Sequence, residues 1–249
     1  MKQFLLTCLM AAGLAPAASA ELQQDSREEL QAYVESNLLG IFYHELGHAL
    51  VDVLDLPIFG QEEDAADVLS VFLIDALYDE DSAVALAYDT AFGFLDEADA
   101  AGEPAYWDVH GPDLQRYYNL VCIFYGANPE EREDVAEDLG LPENRAESCP
   151  FEYDQAADSW GGALDSIASS KGGSSFRLGA LDRSTPGASL TSDVVSAEAG
   201  ALNLDFKLPA KVTVTVKSCG EANAFYDPEA REIVMCAEFA DELAEIYGG

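Results

Sequence analysis

The chain is poor in histidine and in positive charge. Of its 249 residues only three are His and twelve are Lys or Arg, against 47 Asp or Glu, a formal charge of −35 at pH 7. Such a surface repels phosphate backbones and anionic headgroups, so nucleic acid and anionic lipid are excluded as expected partners. Long apolar runs are scarce as well. The stretch Phe4–Ala12 is too short to span a bilayer, and no later segment is longer. There is no Cys-x-x-Cys pair, which argues against a metal site built from cysteines, and no internal repeat.

What the first residues do contain is a leader pattern. Lys2 precedes the apolar run, and Ala18-Ser19-Ala20 supplies an A-x-A-like cleavage site. Residues 1–20 therefore read as a signal peptide, and 21–249 as an exported chain, periplasmic or secreted, long enough for one domain. Cleavage removes Cys8 and leaves Cys122, Cys149, Cys219 and Cys236. An even count in an exported chain favours two disulfides. Three pairings are possible, and proximity in sequence suggests Cys122–Cys149 and Cys219–Cys236.

The remainder divides into a helical part, 21–170, and an α+β tail, 171–249. Apolar positions Leu38, Leu39, Phe42, Leu46, Ala49, Leu50 and Val53 recur at helical spacing, predicting a long helix over about 26–54 interrupted at Gly40. Pro57 and Gly60 break it. Further helices are expected over 62–78 and 82–98, after Pro112, over 129–139 and, more weakly, over 153–169. Lys171–Ser175 reads as a flexible connector. In the tail, 176–181 and the alternating 211–217 are expected strands, 192–206 a helix, and 224–235 a strand, turn and strand before a final helix over 237–247.

Two of the three histidines stand four apart in His44-Glu45-Leu46-Gly47-His48. On a helix, i and i+4 share a face, so both rings reach one ion, and Glu45 reaches a water beside it. A catalytic zinc needs a third protein ligand. The next helix offers Gln61-Glu62-Glu63-Asp64-Ala65-Ala66-Asp67. Glu63 is the first choice for one zinc ion held with His44 and His48; Glu62 is the alternative. Asp67, one turn on, is placed to accept the free ring N–H of a ligand histidine. Glu45 is then the general base. His110, in Trp107–Pro112, either donates a hydrogen bond to an oxyanion or substrate or simply leads into the next helix. Arg116, Tyr117 and Tyr118 read as packing and surface residues. The acidic run Asp79-Glu80-Asp81 lacks the Asp-x-Asp-x-Asp-Gly pattern of a calcium loop.

The segments Tyr43–Leu50 and Glu62–Asp67, with Asp113–Asn119 and Cys122, and Cys219–Pro228, resemble an uncharacterised bacterial family of metallopeptidases with a HELGHAL…EEDAAD pattern, of the glutamate-ligand (gluzincin) zincin kind. The resemblance spans most of the chain after the leader. It implies zinc, peptidase chemistry and a peptide or protein substrate, without naming the substrate. In many zincins an Asn-Ala-Phe hairpin precedes the metal-binding helix, whereas here Asn223-Ala224-Phe225 comes last. The expectation is a mainly helical, zincin-like α+β fold with a small C-terminal sheet, circularly permuted so that this hairpin lies beside His44. Its edge would bind a peptide by strand addition. The alternative function is a non-catalytic, zincin-like protein that uses the same pocket to hold a peptide. The sequence carries no signal for oligomeric state.

Overall fold

The computed structural model describes residues 15–101 and 103–248. The expected leader, Cys8 included, lies outside them except for Ala15–Ala20, which open the first helix. The chain is mainly helical with one small sheet. Its elements are α1 (Ala15–Leu54), α2 (Glu62–Leu77), α3 (Glu80–Ala101), α4 (Asp113–Ala127), the short helices α5 (Glu133–Asp138), α6 (Glu143–Ala146) and α7 (Cys149–Ala156), a π-helical turn (Ala157–Gly161), α8 (Gly162–Ile167), β1 (Phe176–Leu181), α9 (Pro186–Asp205), β2 (Val212–Lys217), β3 (Ala224–Asp227), β4 (Glu232–Cys236) and α10 (Phe239–Gly248). Among the described residues, no helix is long and apolar enough to cross a membrane.

The first helix is the axis of the fold. Its apolar residues at three- and four-residue spacing, Leu38, Phe42, Leu46, Ala49 and Leu50, are buried, and α2, α3, α9, α10, β3 and β4 pack around it. Gly40 does not interrupt it. A Cβ on Gly40 would lie 2.9 Å from Thr90 Cγ2, so this glycine allows α3 to approach closely rather than breaking the helix. Gly47 does the same for α2, where an added Cβ would meet Ala66 Cα at 2.8 Å.

The sheet runs in the order β1-β2-β4-β3, with β1, β2 and β4 parallel and β3 antiparallel to β4. The central strands β2 and β4 are largely buried, and β3 is an edge. The helix between β1 and β2 begins at Pro186, earlier than the expected 192. Thr185 caps it, its hydroxyl accepting the Ala188 N–H with Pro186 in the first turn. The expected flexible connector is tied down: the Gly173 N–H donates to the Asn203 carbonyl, and the buried Ser175 hydroxyl accepts the Leu208 N–H. The segment over 153–169 is not one helix but α7 and α8 joined through the π-helical turn. Both proximity pairings are present, Cys122–Cys149 joining α4 to α7 and Cys219–Cys236 closing the segment that carries β3.

Candidate metal centre

The site is built where α1 and α2 approach closely at Gly47. Because Gly47 has no side chain, the backbone of Ala66 rests against α1, and one turn earlier on α2 Glu63 reaches the imidazoles. His44 and His48 project from one face of α1 with their Nε2 atoms 3.2 Å apart. Glu63 Oε2 lies 3.1 Å from His44 Nε2 and 3.2 Å from His48 Nε2. Each ring is held from behind by a carboxylate: Asp67 Oδ1 lies 2.8 Å from His44 Nδ1, and Glu62 Oε1 lies 2.8 Å from His48 Nδ1. Glu62 therefore meets the ring nitrogen opposite the one that faces Glu63.

Two further residues join from across the chain. Arg116, on the first turn of α4, donates from Nε to Asp67 Oδ2 at 2.8 Å and from a terminal nitrogen to Oδ1 at 2.9 Å. Its guanidinium also sits 4.6 Å from the centroid of Phe94. It was expected to be a packing residue. Its signal in the sequence was only its place in Asp113–Asn119, with no spacing that tied it to Asp67. His110, in the segment leading to α4, has its Nε2 2.9 Å from Glu63 Oε2. The sole histidines of the chain therefore all meet one carboxylate oxygen. Donor atoms of His44, Glu63 and His110 lie within 4.8 Å of one another.

The electrostatics follow from this crowding. Burial works against charge on His44, but hydrogen bonds to Asp67 and Glu63 outweigh it and push its pKa up to about 9. For His48, burial is again opposed and outweighed by Glu63 and Glu62. The hydrogen bonds from His110, His44 and His48 hold Glu63 far below the usual carboxylate range. Burial opposes ionisation of Asp67, but Arg116 and His44 draw its pKa down to about 2. Glu45 is buried, and that burial raises its pKa against the pull of His44 and His48.

The donor set fits a metal cation. A carboxylate can only accept, so Asp67 and Glu62 fix the proton of each neutral imidazole on Nδ1. Both Nε2 atoms then present lone pairs to each other and to the Glu63 carboxylate, at about 3.2 Å or less. That arrangement is repulsive unless the rings take up extra protons or a cation lies between them. Ligands ~2.0–2.1 Å from a tetrahedral ion stand a little over 3 Å apart, so a metal needs only small movements here.

Two cavities meet at this point. A cleft of about 510 Å³ is lined by His44, Glu45, His48, Glu62, Glu63 and His110 on one wall and by Ala224, Phe225 and Tyr226 of β3 on the other. The Tyr226 hydroxyl donates to Asp52 Oδ2 at 2.7 Å, pinning the edge strand to α1 near His48. A second, more apolar chamber of about 190 Å³ opens beneath His44 and Glu45, among Ile41, Val71, Ile74, Phe94, Leu120 and Leu243.

No curated protein and no solved structure matches the chain. One family model does, over residues 7–164 and 188–249, and it takes in His44, Glu45, His48, Glu63, Asp67, His110, Arg116 and the tail hairpin. The chain belongs to that family, DUF4344, which is described as a putative metallopeptidase, and so stands among the peptide hydrolases.

Proposed function

We propose that the protein is an exported, single-domain zinc metallopeptidase of the glutamate-ligand kind, acting on extended peptide or protein segments. The observation that carries the reading is the convergence of the His44 and His48 Nε2 atoms on Glu63, with Glu45 buried beside them at the junction of both cavities. His44, His48 and Glu63 hold the zinc, while Asp67 and Glu62 orient the two rings and Arg116 orients Asp67. When bound, the zinc supplies Lewis acidity and a water of lowered pKa.

Glu45 takes a proton from the attacking water and delivers it to the leaving amine. Its burial suits it to the task, since a base with a raised pKa both accepts and returns a proton near neutrality. The free edge of β3 lies across the cleft from these groups and offers its backbone to an extended peptide, as an added strand. The apolar chamber beneath Glu45 has room for one apolar side chain next to the scissile bond. The position of β3 beside His44 supports the permuted zincin arrangement, with the tail supplying the edge that usually comes first. Two disulfides support export from the cytoplasm.

The test is cleavage of a peptide library by the wild type and by Glu45→Gln, with zinc content measured in both. The variant should keep its zinc and lose ~100- to 10,000-fold in kcat/KM. Wild-type products should carry an apolar side chain next to the cut. Equal turnover in both proteins rules out Glu45 as the base, and no turnover in a zinc-loaded wild type favours the peptide-holding alternative.

A further inference from the structure

We infer that His110 is a fourth protein ligand of the same metal, so that the resting site is a closed three-histidine, one-glutamate shell. The inference rests on the metal reading above and adds to it a ligand supplied by a separate segment. Its Nε2 makes the shortest of the three histidine contacts to Glu63 Oε2, at 2.9 Å against 3.1 and 3.2 Å. Its ring lies beside that of His44, with centroids 6.1 Å apart and planes 28° from parallel, and both Nε2 atoms approach the same Glu63 oxygen. Asp108 lies behind it. Its Oδ1 accepts the His110 backbone N–H at 3.1 Å and faces the ring Nδ1 at 3.7 Å. As at His44 and His48, Nε2 is aimed at Glu63, but the carboxylate behind the ring lies at 3.7 Å, in charge contact rather than hydrogen-bonded.

The fourth donor differs from the others in its mounting. His44, His48 and Glu63 stand on α1 and α2, clamped at Gly47, and are mostly buried. His110 is 44 % exposed and sits outside any helix, after Tyr106, Trp107 and Val109, which are all exposed. A tetrahedral shell with four protein donors leaves no position for water, whereas hydrolysis requires one. His110 is the donor that can leave without disturbing the helical pair. Release of this one ring therefore converts a closed site into an open one, and a substrate lying in the cleft contacts that same segment.

The wild type, His110→Ala and, as a control on a ligand of the proposed shell, His48→Ala decide the matter. Zinc affinity is measured by competition with a chromophoric chelator, and each protein is loaded with cobalt(II) for absorption and X-ray absorption spectroscopy. His110→Ala should lose at least ~10-fold in zinc affinity, the loss that follows even from removal of outer contacts. Its imidazole scattering should fall from three rings to two, and its cobalt spectrum should change as water replaces nitrogen. His110→Asn serves as a second variant should the alanine protein misfold. Unchanged affinity and spectrum in the His110 variants, alongside loss in His48→Ala, overturn the fourth ligand and leave the metal reading intact. Failure of the wild type to bind zinc or cobalt overturns both.

Discussion

Two buried polar clusters of this protein look alike in composition and differ in kind. Around Arg132 in the α4–α5 connection, Nε and a terminal nitrogen donate to the two Glu80 carboxylate oxygens at 2.7 Å each. Another terminal nitrogen donates to the Phe124 carbonyl at 2.7 Å, and Asp75 lies 2.7 Å away. The Phe124 ring covers the guanidinium at 3.8 Å, and the Tyr153 hydroxyl donates to the other Asp75 oxygen at 2.6 Å. Every donor there has an acceptor. Around Glu63, by contrast, the imidazoles in their neutral form set acceptors against an acceptor. The first cluster is complete in itself and holds the fold, whereas the second is complete only with something positive added. The direction in which hydrogen bonds point, rather than the number of charges, separates a structural network from a binding one.

The comparison breaks most visibly at Arg132. Replacement by Met leaves Asp75 and Glu80 without their cation and should cost about 3 kcal/mol in urea unfolding, while zinc affinity of the folded protein stays unchanged. A drop in affinity without a loss of stability would reverse the roles of the two clusters.

Around Glu63 the expected effect depends on the metal. Zinc at 100 times its dissociation constant should stabilise the wild type by ~2.7 kcal/mol, and a chelator should remove the gain. Glu63→Ala should abolish that gain yet, at pH 10, where His44 is neutral, leave the metal-free protein no less stable than the metal-free wild type. A large destabilisation of the metal-free variant would show that Glu63 is a structural ion-pair partner, like Glu80.

Arg116 lies between the two kinds. It is a fully paired guanidinium, but its partner Asp67 orients His44. Arg116→Met should weaken zinc binding by roughly 10- to 100-fold, measured by chelator competition, because Asp67 loses its anchor. An affinity equal to that of the wild type would make Arg116 a purely structural residue.

The smallest effect concerns a third arrangement, Glu198 on α9, where donors are present but, among the described residues, no counter-charge is. The Tyr43 hydroxyl donates to it at 2.8 Å, and burial raises its pKa. A carboxyl with a raised folded pKa carries a cost when ionised, and that cost vanishes once pH falls below its ordinary range and both states are protonated. Glu198→Gln should therefore add about 1 kcal/mol at pH 8, a rise of ~2–4 °C in Tm, and nothing near pH 3.5. An equal gain at both pH values would mean that charge burial is not the cause.

These contrasts also explain which parts of the site were legible in the sequence. His44, Glu45 and His48 are related by helix geometry alone, and Glu63 and Asp67 follow after a short turn, so local spacing sufficed to bring them together. Arg116 and the pose of His110 depend on how α4 packs against α2, a contact between segments about 50 residues apart that no periodicity encodes. The strands and the hairpin were readable because alternation and turn residues are local signals. Gly40 misled because glycine was weighed as a helix breaker, when its lack of a side chain serves the contact with Thr90. The early start of α9 turned on one cap, Thr185 followed by Pro186, within a stretch of weak periodicity.

The contact between Gly47 and Ala66 has a mechanical consequence. The two helices act as the jaws of a calliper whose stop is the missing side chain of Gly47, because a Cβ there would meet the opposite backbone at 2.8 Å. The gap between the imidazoles on one jaw and the Glu63 carboxylate on the other is thus gauged by main-chain contact, not by adjustable rotamers. A backbone stop yields far less than a side chain. The spacing between the two jaws is set at the one position among the motif's five that carries no side chain.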